Sequence, residues 1–215
     1  MTINIFKYIL TQLTIIKYNL SEFKRYSNLL KIILKTKSKK ILEIGVYKGL
    51  RSLEMIKAAQ SFNSKIIYLG FDMFEMFYEK KNILKNELSK KPKSMKVIKK
   101  LLEKHANVTL VKGNTRITLP KFSQKNKFDF IFIDGGHSVK TIKNDWNYSK
   151  KLMHKNSIVV FDDFYSGNNK LTEKFGCNRI IENLSKNYII EYLEPKDFIP
   201  QLNTYVQLVK VYLKK

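Results

Sequence analysis

Four side chains near the ends of two apolar runs are candidates for chemistry: Asp134 and His137 in FIDGGHSV, and Asp162 and Asp163 in SIVVFDDF. Carboxylates brought close together repel unless one is protonated or a cation bridges them. Oxygen donors of this kind suit a hard ion, so Asp134, Asp162 and Asp163 are expected to bind Mg2+, with Mn2+ as a substitute. His137 titrates near neutral pH and is the expected general base for a hydroxyl, with Asp134 beside it. Read blandly, the acids are turn residues and His137 is a solvent-facing neighbour. Three acids and a histidine at two strand ends favour a site.

A second group precedes them. Glu43-Ile-Gly45-Val-Tyr47-Lys-Gly49 follows an apolar run, with Ser52 just beyond. Its glycines permit a tight turn, and the next helix offers its N-terminal amides. The pattern lacks the middle glycine of dinucleotide-binding loops. Asp72 ends the next run, where a carboxylate can accept from both ribose hydroxyls. Gly113-Asn114 ends the one after, where backbone and amide can meet an adenine edge. Together they describe a nucleoside whose remainder is not a pyrophosphate, which fits S-adenosylmethionine.

The elements that must position these residues are short apolar strands between amphipathic helices. Strands are expected at Lys40–Ile44, Lys65–Phe71, Val108–Val111, Phe128–Ile133, Ser157–Phe161, Tyr188–Leu193 and Tyr205–Tyr212. Helices are expected at Leu50–Ala59, Val139–Met153 and Leu171–Leu184. This is an α/β, Rossmann-like, mostly parallel seven-stranded sheet with helices on both faces. The last two strands are joined by too little chain for a crossover, so one runs antiparallel. Residues 1–38 form an N-terminal helical extension. Residues 39–215 form the main domain, which carries a lysine-rich insertion near 75–93.

In order along the chain, LEIGVYKG, GFDMFE, VTLVKGNTRITLP, FDFIFIDGGHS, SIVVFDDF and FGCNRIIENL resemble class I S-adenosylmethionine-dependent methyltransferases. The nearest group is the metal-dependent macrocin O-methyltransferase-like family, which modifies sugars. That resemblance implies a metal on Asp134, Asp162 and Asp163, His137 as base, and cofactor contacts from Glu43, Gly45, Gly49 and Asp72. Tyr47 stands where the wider class has a glycine. Tyr47, Ser52, Gly113, Asn114 and Asp134 complete the expected cofactor contacts. Methyl transfer to a hydroxyl of a small molecule, a sugar or a catechol-like ring, is the implied reaction.

The bulk composition limits the alternatives. A formal net charge of +23 makes RNA or another nucleic acid a competing substrate. Against it, only Arg25, Arg51, Arg116 and Arg179 among the 41 basic residues are arginine, the better residue for bidentate phosphate and base contacts. A non-catalytic S-adenosylmethionine-binding module, with the N-terminal helices as a homodimer surface, is the third reading. The one cysteine, Cys177, suits a reducing compartment. The apolar run Tyr8–Ile16 is too short to span a bilayer, so a cytoplasmic protein with no transmembrane segment is expected.

Overall fold

A computed structural model describes residues 3–78, 91–122, 125–167 and 169–214. Ahead of the sheet come α1 (Ile5–Asn19) and α2 (Ser27–Thr36). Five strands then run parallel in the order β3-β2-β1-β4-β5: β1 (Lys40–Ile44), β2 (Ile67–Asp72), β3 (Asn107–Lys112), β4 (Phe128–Ile133) and β5 (Met153–Ser166). The central strands β1 and β4 and the middle of β5 are mostly apolar because both faces are covered, whereas the edge strand β3 is half-exposed. Along β4, Phe130 and Phe132 enter one core with Leu29, Ile33 and Met55. Ile131 and Ile133 enter the other core with Trp146, Phe161 and Val209.

The crossovers carry α3 (Leu50–Ala59), α4 (Met95–Leu102), α5 (Thr115–Lys121) and α6 (Val139–Ser149). After β5 come α7 (Asn169–Thr172), α8 (Asn178–Glu182), β6 (Tyr188–Tyr192), β7 (Asp197–Ile199) and β8 (Thr204–Leu213). β8 is the expected antiparallel strand, lying between β5 and β6.

Three expectations are corrected. The sheet has eight strands rather than seven, because β6 and β7 share one edge of β8. β6 pairs with Val209–Leu213 and β7 with Thr204–Val206. Pro195 lies between them and has no N–H to continue the ladder. The helix expected over Leu171–Leu184 is two short helices, broken at Gly176, whose φ is +85°. The helix from Val139 stops at Ser149, and Met153 already begins β5. Most of the lysine-rich insertion, residues 79–90, lies outside the described residues.

At the foot of the sheet Asp129 fixes the start of β1 against β4 and β5. One carboxylate oxygen accepts from the backbone N–H groups of Lys39 and Lys40, both at 2.8 Å, and the other lies 2.9 Å from His154 Nε2. Burial works against its charge, but these donors outweigh it and hold the carboxyl below its ordinary range. A carboxyl depressed in the fold stabilises it above the unfolded value of about 3.9, and that contribution fades as pH falls through the folded value. Asp129→Ala should therefore cost about 1–3 kcal/mol in urea unfolding at pH 7. The difference from wild type should shrink at the acid end.

Candidate active site

The carboxyl ends of β1, β2, β4 and β5 open into a cavity of about 1390 Å3. At its first corner Gly45, φ +95°, ends β1. Its N–H donates to the Phe71 carbonyl at 2.9 Å, and the Ile44 carbonyl accepts from Asp134 N–H at 2.8 Å. A Cβ on Gly45 would lie 1.8 Å from the Asp134 carbonyl oxygen. This glycine therefore admits the β4 turn, where the sequence suggested room for a ligand. Tyr47 keeps φ at +52°, so the turn retains a glycine-like backbone with a bulky residue in it. Asp72 holds that turn, accepting from Tyr47 N–H at 2.7 Å and from Phe74 N–H at 2.9 Å.

The other expected cofactor contacts divide in two. Gly45, Tyr47, Asp72, Gly113, Asn114 and Asp134 line the cavity. Asn114 also caps α5, accepting from Arg116 N–H at 3.0 Å. Gly49 and Ser52 do not line it. Gly49 sits against Ile98 and Leu101 of α4. Ser52 is fully buried and donates to Glu43 at 2.5 Å. Glu43 borders the cavity but is held from within by Ser52 and the Tyr68 hydroxyl. Burial pushes its carboxyl up to about 7 against those two donors.

The second corner depends on a bulge. Consecutive strand residues face opposite sides of a sheet, so a regular β5 would separate Asp162 from Asp163. Between Phe161 and Phe164 the β5–β8 register shifts by one residue, and Asp163 takes φ +62°. Both carboxylates then border the cavity. Asp163 bonds His137 Nδ1 and accepts from the Tyr165 hydroxyl at 3.0 Å. The loop before α8 pins both members of the pair. Gly176 N–H donates to the His137 carbonyl at 2.9 Å, and Cys177 N–H donates to that of Asp163 at 3.0 Å. Asn178 brackets the Tyr165 backbone with two bonds, at 3.0 and 2.8 Å.

Asp162 faces residues the sequence reading missed. Arg25 Nε donates to Oδ1 and an Arg25 terminal nitrogen donates to Oδ2, both at 2.9 Å. The Tyr26 hydroxyl donates to Oδ2 at 2.8 Å, and Asp163 N–H donates to Oδ1 at 2.8 Å. Arg25 is also fixed by Asp197 of β7, at 2.6 Å. Each Asp162 oxygen already accepts two bonds, which fills its lone pairs, and the guanidinium supplies the compensating positive charge. The acids therefore do not fit a divalent ion. A side-chain cation pairs with Asp162, Asp163 is engaged by His137 and Tyr165, and among the described residues no cluster of His, Cys, Asp and Glu has metal-binding geometry. Arg51 was missed as well. It stacks on Tyr18 and Tyr26 at 4.8 and 4.2 Å, and its buried Nε has no hydrogen-bond partner among the described residues. In a chain this rich in lysine, two of the four arginines stand at the site; their scarcity was the available signal.

Protonation states diverge across the site. Burial first, then the charges of Asp162 and Asp163, push the Asp134 carboxyl well above its ordinary value. For His137 burial opposes the charge, but Asp163 and the other acids outweigh it and raise the imidazole to about 9.

Residues 42–164, more than half of the chain, match the family described as methyltransferase domain. The chain belongs to that family. No curated protein sequence matches this methyltransferase. Among solved structures, it resembles an O-methyltransferase from Bacillus cereus in complex with SAH (15% identity, TM-score 0.62, 97% of this chain and 90% of that one). It also resembles the O-methyltransferase TomG from Streptomyces achromogenes with SAM (14%, 0.61, 87% and 78%). A third is the N-methyltransferase NodS from Bradyrhizobium japonicum with S-adenosyl-L-homocysteine (12%, 0.59, 89% and 87%). At these identities the likeness is one of fold.

Two outcomes follow from the site's geometry. Gly45→Ala should cost at least ~3 kcal/mol in urea unfolding, since strand ends rather than a flexible side chain must move. In a proton NMR titration of the three histidines, His137 should titrate at about 9. In Asp163→Asn its midpoint should fall to about 6.5 or lower. Because folding raises this histidine, its contribution to stability is full below about 6.5 and fades as pH rises through the folded value.

Proposed function

We propose that this methyltransferase transfers the methyl group of S-adenosylmethionine to a hydroxyl of a small molecule, and does so without a divalent metal. The observation that carries the reading is the His137–Asp163 pair, which shares one cavity with the Gly45 turn and Asp72. The residues suit the cofactor: Asp72 at the β2 end would accept from ribose hydroxyls, and the Arg51 guanidinium, on the cavity lining, would pair with a carboxylate. The cavity exceeds the usual ligand-site volume of about 300–1,000 Å3, which leaves space for an acceptor. Phe77, Phe198 and Tyr205 give the acceptor apolar walls, with Lys24, Lys48 and Lys196 also on the lining.

When bound, S-adenosylmethionine supplies an electrophilic methyl group on a sulfonium, whose positive charge also opposes the imidazolium. Asp163 holds His137 through Nδ1, which leaves Nε2 for the acceptor. His137 would take the acceptor's hydroxyl proton at that nitrogen. The bound cofactor would supply the methyl group, and its sulfur would keep the electron pair of the bond that is broken. Asp134, with its raised carboxyl, orients the acceptor by hydrogen bonding. Arg25 holds Asp162 as a counter-ion, so the carboxylates stay together without a metal. Positioning of the hydroxyl in line with the methyl supplies much of the rate.

The test combines labelled S-adenosylmethionine with a panel of sugars and catechol-like compounds, with EDTA present and absent. Turnover should persist in EDTA. His137→Gln should lower kcat by about 10²–10⁴-fold, while calorimetric affinity for S-adenosylhomocysteine stays within about twofold. Activity restored only by Mg2+, or an undiminished His137→Gln enzyme, would contradict the proposal.

A further inference from the structure

Helix α1 is apolar on two sides. Tyr8, Thr11, Ile15 and Tyr18 turn toward the body of the protein, where Tyr8 meets Phe62 edge-on at 6.2 Å and Arg51 stacks on Tyr18. The start of the helix is fastened too: Asn4 N–H donates to the Ser61 carbonyl at 2.8 Å, and the Asn4 side chain caps Lys7 N–H at 3.1 Å. The opposite side bears Phe6 (71% exposed), Ile9 (51%), Leu13 (56%), Ile16 (52%) and Leu20 (84%). Among the described residues nothing covers this side. A helix held in place with a bare apolar stripe calls for a partner.

The spacing of the stripe indicates which partner. Phe6, Ile9, Leu13, Ile16 and Leu20 follow intervals of three, four, three and four, the a/d repeat by which one helix packs along another. The residues bordering it are the amides Gln12 and Asn19 on one side and Leu10 with Lys17 on the other. A helix lying on a bilayer surface borders its apolar face with lysine and arginine; here Lys17 alone stands near the stripe. Two chains each carrying +23 must also meet where charge is sparse, and the stripe is such a place. Taking roughly 200 Å2 for a fully exposed large apolar residue, these five with Ile5 and Leu10 offer on the order of 850 Å2. A standard interface buries about 800 Å2 per partner.

We propose that the protein forms a twofold homodimer in which the α1 stripes of two copies pack against each other. The inference is independent of the proposed reaction. It also bears on the site, because the segment following α1 carries Arg25 and Tyr26 onto Asp162.

Sedimentation velocity of the full chain at about 50 µM tests it, since dimer mass depends on concentration. The wild type should sediment at twice the 25.4 kDa chain mass. Leu13→Glu, at an exposed position, should keep the wild-type circular dichroism and melting temperature. Its dimer dissociation constant should nonetheless rise by at least ~100-fold, since each stripe would then bury a carboxylate. A monomeric wild type overturns the proposal, whether or not it floats with phosphatidylglycerol-containing vesicles; if it floats and Leu13→Glu does not, the stripe is a membrane surface. A dimer that persists in Leu13→Glu overturns it as well, placing the contact elsewhere.

Discussion

The fork of Arg25 on Asp162 is the constraint around which the site is arranged. Three carboxylates at the ends of β4 and β5 share one low-dielectric corner, and such a corner holds together only if charge is compensated. The guanidinium does this with fixed directions, binding both oxygens of Asp162 and reaching Asp197 on β7. That contact draws the segment after α1, the short strand β7 and the bulged end of β5 to one point. The N-terminal extension is thereby part of the cavity wall. A metal ion would require the same oxygens, so the guanidinium and the ion are alternatives.

Backbone geometry shares the task with charge. Tyr47 and Asp163 both sit in the left-handed region, a conformation that costs of order 1–3 kcal/mol per residue and persists only where neighbours enforce it. Asp72 enforces the first by accepting the Tyr47 N–H. The second is held by the β5–β8 bulge and by Cys177 N–H on the Asp163 carbonyl. Both corners of the cavity thus carry a left-handed residue that its neighbours hold in place.

Much of this was legible in the sequence. Largely apolar runs such as FDFIFI mark strands covered on both faces, and acids at their C-terminal ends mark the ligand side of a parallel sheet. What stayed hidden depends on contacts distant in sequence. Arg25 and Asp162 are far apart in the chain, and no periodicity links them. The three residues of β7 are too few to show a pattern. The bulge that turns Asp162 and Asp163 the same way is an extra β5 residue opposite β8, and it shows only in the pairing of those two strands. In α1, helical spacing revealed the apolar positions but not that Ile9, Leu13 and Ile16 point away from the core; a helix apolar on both sides offers no internal cue to which side is buried.

The fold does not choose the atom that receives the methyl group, since structures of similar fold include both O- and N-methyltransferases. The choice belongs to proton chemistry. A neutral amine already carries a nucleophilic lone pair, whereas a hydroxyl attacks well only as its proton departs, so oxygen transfer requires a placed acceptor for that proton. In the proposed reaction that acceptor is His137, fixed through Nδ1 to a buried carboxylate that Tyr165 and Cys177 fasten in turn. Its raised affinity for a proton makes it strong but mostly occupied at neutral pH, and a cation entering the cavity opposes that occupancy. An enclosure with a fixed guanidinium on one acid and an imidazole on the next is the arrangement on which the proposed transfer to a hydroxyl rests.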